Sequence, residues 1–239
     1  MAIRPHSHEC MNGLEKYFFL FNNRGINIIL CFLIIWGCGG KSSEKKQSSF
    51  TNTEVTFTDI TIEAGLGDFK HENGAFGEKW FPEPMGSGGG FIDYNGDLWE
   101  DILLVGGGVW SESGSEKVPA LYLFKNNKDG TFTDVTSEVG LNNIFTYPFG
   151  ITVADYDNDN DQDFFLTTIG KNLLFENRSG KFEEVAEKAG LQNYSTLSSS
   201  AIFFDADRDG WLDLYTGNYI DWSPETDVWC SSTRRENRV

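Results

Sequence analysis

Histidine and cysteine are scarce, and their placement removes whole classes of chemistry. The chain has three histidines and four cysteines in 239 residues. Only His71 and Cys230 lie beyond the first forty residues, too few for a zinc-type His/Cys cluster. No Gly-x-Ser-x-Gly elbow is present. Gly86-Ser-Gly-Gly-Gly90 lacks the lysine and helix of a phosphate loop. Asp/Glu pairs are too common in so acidic a chain to single out a glycosidase-like pair. Basic residues are outnumbered 36 to 19, for a net charge of −17, which argues against nucleic acid as a partner. Disorder, the other reading of high charge, conflicts with 15 % aromatic content, including 20 Phe and 7 Trp. A run of some 20 apolar residues, long enough to span a bilayer, is also missing.

The acid is concentrated. Asp155-Tyr-Asp-Asn-Asp-Asn-Asp-Gln-Asp163 places five aspartates at alternate positions in nine residues. Five carboxylates this close repel one another unless a cation sits among them. Alternating oxygen ligands in one tight loop suit calcium, a hard ion taking six to eight oxygens. The pattern recurs in Asp93-Tyr-Asn-Gly-Asp-Leu-Trp-Glu-Asp101 and Asp205-Ala-Asp-Arg-Asp-Gly-Trp-Leu-Asp213. Positions one, three, five and nine are the candidate side-chain ligands. They are Asp93, Asn95, Asp97 and Asp101; Asp155, Asp157, Asp159 and Asp163; and Asp205, Asp207, Asp209 and Asp213. Position seven (Trp99, Asp161, Trp211) would offer its carbonyl. Asn160 and Gly210 at position six suit a left-handed turn, whereas the first copy carries its glycine, Gly96, at position four. That copy, with Asn95 in place of an aspartate, is expected to bind weakest. Three calcium ions would cancel about half of the eleven aspartate charges at these positions, so metal binding and folding would be coupled.

An EF-hand begins similarly but needs a glutamate at position twelve and flanking helices. Position twelve here is Leu104, Leu166 or Thr216, and the flanks are short apolar, aromatic or β-branched runs. That is strand composition, so each loop joins two strands. A second motif alternates with the loops: Phe57–Leu66, Phe132–Leu141 and Phe182–Leu191, each closing on Ala/Val-Gly-Leu. It reads as a short strand running into one helical turn stopped by glycine. Turns at Lys128-Asp-Gly130 and Arg178-Ser-Gly180 precede the second and third copies. One unit is therefore strand, loop, strand, strand, turn, strand, helical turn. Four short strands per unit, with loops starting 62 and 50 residues apart, fit a propeller blade. Glu54–Ile60 is a candidate first strand. Gly86–Gly90 and Gly106–Gly108 suit close entry of the chain into crowded inner strands. Trp80, Phe81, Trp99, Trp110 and Trp222 suit packing between blades.

The amino end is set apart. Lys16 and Arg24 precede the nine-residue apolar run Ile28–Trp36, then Gly37-Cys38 and the polar stretch 41–49. This resembles a bacterial lipoprotein signal, with residues 1–37 removed, Cys38 lipidated and 38–53 a linker. Met11 offers an alternative start. Cys230 would then be the one free thiol, in an oxidising compartment.

The loop between strands resembles the FG-GAP/VCBS repeats of integrin-α-type β-propellers. The alternating Phe-Thr-Asp-Val-Thr motif is similar to that of the ASPIC/UnbV, cartilage acidic protein-like family, as are His71–Gly74, Gly77–Trp80, Pro82–Gly86 and Asp221–Glu225. The resemblance implies an all-β fold over residues 54–239, with about three of seven blades present and the partner of Cys230 lying further along a longer protein. It implies up to three Ca2+ ions with a structural role. It implies no catalysis in this chain but binding or adhesion to a protein or carbohydrate at the bacterial cell envelope, with a lipid anchor as the only membrane contact. The alternative is the N-terminal part of a propeller-scaffold enzyme acting on polysaccharide.

Overall fold

The computed structural model describes residues 55–110, 113–114, 116–191 and 196–228. The expected signal segment, lipidated Cys38 and linker, and Cys230, lie outside the described residues. By contacts the chain divides into residues 1–59 and 60–239. In the first unit only residues 55–59 are described, and they form no strand. The expected strand over 54–60 is therefore absent from the described residues 55–60. Val55 and Phe57 are exposed and no strand pairs with this stretch, which leaves its backbone nothing to build a ladder on.

The second unit is all-β. Four strands, β1 (Gly89–Ile92), β2 (Asp101–Val105), β3 (Leu121–Asn126) and β4 (Phe132–Asp134), form an antiparallel meander in the order β1-β2-β3-β4. Then β5 (Tyr147–Ala154), β6 (Asp163–Gly170), β7 (Leu173–Asn177) and β8 (Phe182–Glu184) repeat it. The hairpin β9 (Thr196–Phe204) and β10 (Asp213–Ile220) begins a third copy. β9 also pairs with the far end of β6, at Ile169↔Leu197 and Gly170↔Thr196. The described residues thus hold two full blades and the opening hairpin of another, and their strands close no ring. Among the described residues no helix is long and apolar enough to cross a membrane.

Period-two alternation decides which neighbour each side chain meets. On β6, Phe164 and Leu166 point into the core against the first blade, with Leu103, Leu123 and Val139. Phe165 points the other way, joining Leu174, Val185 and the partly buried Ala201, Phe203 and Leu214 of the third copy. β7 alternates in register: Phe175 opposes Phe164 and Leu174 opposes Phe165. The Phe164 and Phe175 rings stack 4.6 Å apart, and Phe182 meets Phe164 edge-on at 5.0 Å.

The second motif folds as its composition requires. Each copy makes a single helical turn closed by a glycine at positive φ: Gly65, Gly140 and Gly190. The Leu66 N–H reaches Thr61 O and the Gly65 N–H reaches Ile62 O, the paired bonds of a Schellman stop. Leu191 and Gly190 repeat it on Ala186 and Glu187. The first two turns also serve the following blade: Phe132 N–H donates to Ala64 O, and Phe182 N–H to Val139 O.

The glycine clusters are where the backbone is crowded. A Cβ on Gly107 would sit 1.9 Å from Glu72 O, because residues 71–73 add a parallel bridge beside Gly107. At Gly106 it would meet the Tyr122 ring at 2.4 Å and at Gly89 it would meet Leu103 O at 2.9 Å. Gly86, by contrast, has open space around it.

Phe164→Ala empties the centre of the joint between the blades and should cost about 3–5 kcal/mol in denaturant unfolding. Exposed Phe91→Ala in the same sheet should cost less than about 1 kcal/mol.

Candidate functional site: three aspartate loops on one edge of the sheets

Loop 1 (93–101) joins β1 to β2, loop 2 (155–163) joins β5 to β6, and loop 3 (205–213) joins β9 to β10. The three share one internal wiring, built from their own carboxylates. The position-one aspartate accepts the N–H of positions five and six: Asp97 and Leu98 on Asp93, Asp159 and Asn160 on Asp155, Asp209 and Gly210 on Asp205, at 2.8–3.2 Å. Position five accepts from position seven at 2.8–3.0 Å. Position nine accepts from position two at 2.9–3.3 Å.

This wiring needs left-handed backbone at two places in each loop. Positions four (Gly96, Asn158, Arg208) and six (Leu98, Asn160, Gly210) all have φ between 60° and 90°. Gly96 is therefore not displaced. It fills one of two left-handed positions, and the strained residue of loop 1 is Leu98, at φ 65°.

The structure brings positions one, three and five together. One carboxylate oxygen from each of Asp155, Asp157 and Asp159 lies within 4.8 Å of the others, and so do oxygens of Asp205, Asp207 and Asp209. Loop 1 has the same fold, but Asn95 stands in for the middle carboxylate. Its Asp97 is already partnered by Lys128 Nζ at 3.2 Å. Burial acts to raise the Asp97 carboxyl, but hydrogen bonds from Lys128 and the Trp99 N–H outweigh it and hold the group below its ordinary value. The position-nine aspartates stand outside these groups and brace the fold. Asp163 is fully buried, its Oδ2 accepting from Tyr156 N–H and its Oδ1 from Asn177 N–H. Burial, with added repulsion from Asp157 and Asp159, pushes its carboxyl up to about 7 against those hydrogen bonds. Asp101 repeats the arrangement with Tyr94 and Asn126. Asp213 keeps only the Ala206 bond and is exposed.

The donor set fits a hard cation. Every converging side-chain atom is oxygen, and Asp157 Oδ1 is buried with no hydrogen-bond partner. Burial, and then the charge of Asp159, raise the Asp157 carboxyl above its ordinary value. A buried carboxylate oxygen without a donor is costly unless a positive charge meets it.

A model of the FG-GAP-like repeat matches residues 93–166 and again 155–216. Each match starts on the first aspartate of one loop and runs through the next. The chain belongs to the FG-GAP-like repeat family. Together the two matches cover more than half of the 239 residues. With the meanders described above, they make this FG-GAP chain a partial β-propeller of the integrin type. A comparison with curated proteins finds no match.

Sequence reasoning missed two residues. Asn126 and Asn177 each end the third strand of a blade. Each donates its backbone N–H to a position-nine aspartate and its side-chain amide to the position-eight carbonyl, Glu100 O or Gln162 O. The signal was an asparagine ending both runs, just before the Lys128–Gly130 and Arg178–Gly180 turns. The aromatic residues also divide. Trp80, Trp110 and Trp222 pack as expected, in one buried cluster with Tyr147 and Phe149. Trp99 and Trp211 are exposed on their loops, and Phe81 is partly exposed, stacked on Tyr219.

Leu98→Asn places a residue that tolerates positive φ where loop 2 already has one. It should raise stability by roughly 0.5–1 kcal/mol in chelator. Lys128→Gln frees Asp97 and should tighten cation binding at loop 1 by a few-fold, measured by calorimetric titration at low salt.

Proposed function

We propose that this chain is an exported, calcium-stabilised propeller module that binds a protein or carbohydrate at the bacterial cell envelope. The observation that carries the calcium part is the gathering of three carboxylates in loop 2 around the unpartnered Asp157 oxygen, in the same frame as loops 1 and 3. Positions one, three and five of each loop would hold the ion directly, with the position-seven carbonyl, and position nine would close the site from the sheet side. A bound calcium ion supplies the positive charge that lets these carboxylates lie together. The residues do the rest: position one folds the loop through its backbone acceptors, and position nine ties it to the sheet. The role is structural, and the module binds rather than catalyses. Family membership supports the binding role, because FG-GAP-like repeats build propeller modules of that kind. Residues 16–38, with their basic, apolar and cysteine order, support export and a lipid anchor at Cys38.

Thermal unfolding of the full chain in calcium, magnesium and chelator tests the calcium reading. An ion at 100 times its dissociation constant adds about 2.7 kcal/mol per independent site. Calcium should therefore raise the melt by many degrees and magnesium by much less. Asp159→Ala with Asp209→Ala should lower calcium stoichiometry by two in equilibrium dialysis. A melt indifferent to calcium, or unchanged stoichiometry, would overturn the assignment.

A further inference from the structure

The three loops are joined to one another, and the joints are made by residues that are not themselves candidate ligands. Gln162, at position eight of loop 2, accepts the backbone N–H of Asp93, the first residue of loop 1, at 2.7 Å. Fully buried Asn177 spans the same joint. Its amide donates to Tyr94 O of loop 1 at 2.9 Å and to Gln162 O of loop 2 at 3.1 Å, while its Oδ1 accepts the Gly180 N–H. On the other side, Asn158, at position four of loop 2, donates to Gly210 O of loop 3 at 3.2 Å. Asn126 marks the contrast: its amide reaches Glu100 O within its own blade.

These contacts have a mechanical consequence. Asp93 folds loop 1 by accepting the N–H of Asp97 and Leu98, so whatever fixes the Asp93 backbone fixes the first and fifth positions together. Gln162 sits between Asp161, which accepts the Ser179 N–H, and Asp163, which accepts those of Tyr156 and Asn177, so its position follows the order of loop 2. Loop 1 is also the site with fewest free charges, having Asn95 and a Lys128-paired Asp97. It therefore gains most from being ordered in advance.

We propose that the loops load cations cooperatively, with loop 2 the strong site that orders loop 1 through Gln162 and Asn177 and loop 3 through Asn158. Gln162, Asn177 and Asn158 are positioning residues. The proposal rests on the calcium reading above and adds to it a direction and a route of coupling.

Terbium(III) luminescence reads the loops separately. Trp99 and Trp211 occupy position seven of loops 1 and 3, where loop 2 has Asp161. Excited at 295 nm, the Trp211→Phe full chain reports loop 1 and the Trp99→Phe full chain reports loop 3. In the loop 1 reporter, disabling loop 2 with Asp157→Asn and Asp159→Asn should raise the terbium midpoint about five- to tenfold, the scale of one hydrogen bond. Gln162→Met, similar in shape but without an acceptor, should do the same, and the combination should shift it no further. Gln162→Glu, which keeps the acceptor oxygen, should bind at least as tightly as the reporter. Asn158→Gly keeps the left-handed backbone while deleting the amide, and should raise the midpoint in the loop 3 reporter only. A saturating loop 1 signal with an unmoved midpoint in Gln162→Met would overturn the coupling and leave the calcium reading intact, as would fully additive shifts. No saturable emission in either reporter would overturn the calcium reading and the coupling with it.

Discussion

Each loop depends on a carboxylate that does two opposed things. Asp155 and Asp93 accept two backbone N–H groups each and Asp205 three, and so give the loop its shape. In doing so they bring further carboxylates to within a few ångströms. Hydrogen bonds to a charged acceptor contribute more than neutral ones, and they are made whether or not a cation is near. Among the described residues one cation pairs with a loop carboxylate, Lys128 beside Asp97 in loop 1. The fold thus assembles a concentration of negative charge as a by-product of making its tightest turns. The sheets behind it inherit that tension through Asp163 and Asp101, the buried acids that tie loop to strand.

The second sheet is suited to bear it because its β6 strand faces two neighbours. β6 sends Phe164 and Leu166 into one interface and Phe165 into the next. The helical turns reinforce this by capping the outer strand of the following blade rather than their own. Ligand loops, aromatic core and glycine-stopped turns therefore form one structure, although each is a separate signal in the chain.

Those signals differ in how well they could be read. The loops were legible because alternating Asp/Asn spacing has few other causes, and the blades because two motifs kept the same order. The glycine stops were legible at Gly65, Gly140 and Gly190, since a residue at positive φ after a helical turn leaves a near-obligatory glycine. Position four of the loops was not. Asn158 and Arg208 carry positive φ there without advertising it, and Gly96 looked displaced only because position six was taken as the sole left-handed site. Asn126 and Asn177 escaped notice because an asparagine before a turn has an ordinary local explanation. Their reach across the sheet emerges only once register places them beside the position-nine acids. Residues 55–60 show the converse: a run of strand composition is not a strand without a partner.

Two of the links described above do not respect the sequence repeat. The turn ending one copy caps the outer strand of the next blade, and Asn177 of the second blade grips Tyr94 of the first. The unit that repeats in sequence is therefore not the unit that holds together in space. If such an array grows or shrinks by duplication and loss, a cut at the loops would carry off half of two different joints. A cut between the glycine stop and the next inner strand would divide each unit after its turn and before its loop, yet still leave the turn and the asparagine looking for partners in a neighbour. Such a protein cannot gain or lose a blade silently: a new neighbour in the place of the first blade must supply a carbonyl for Asn177 and a turn for Phe182.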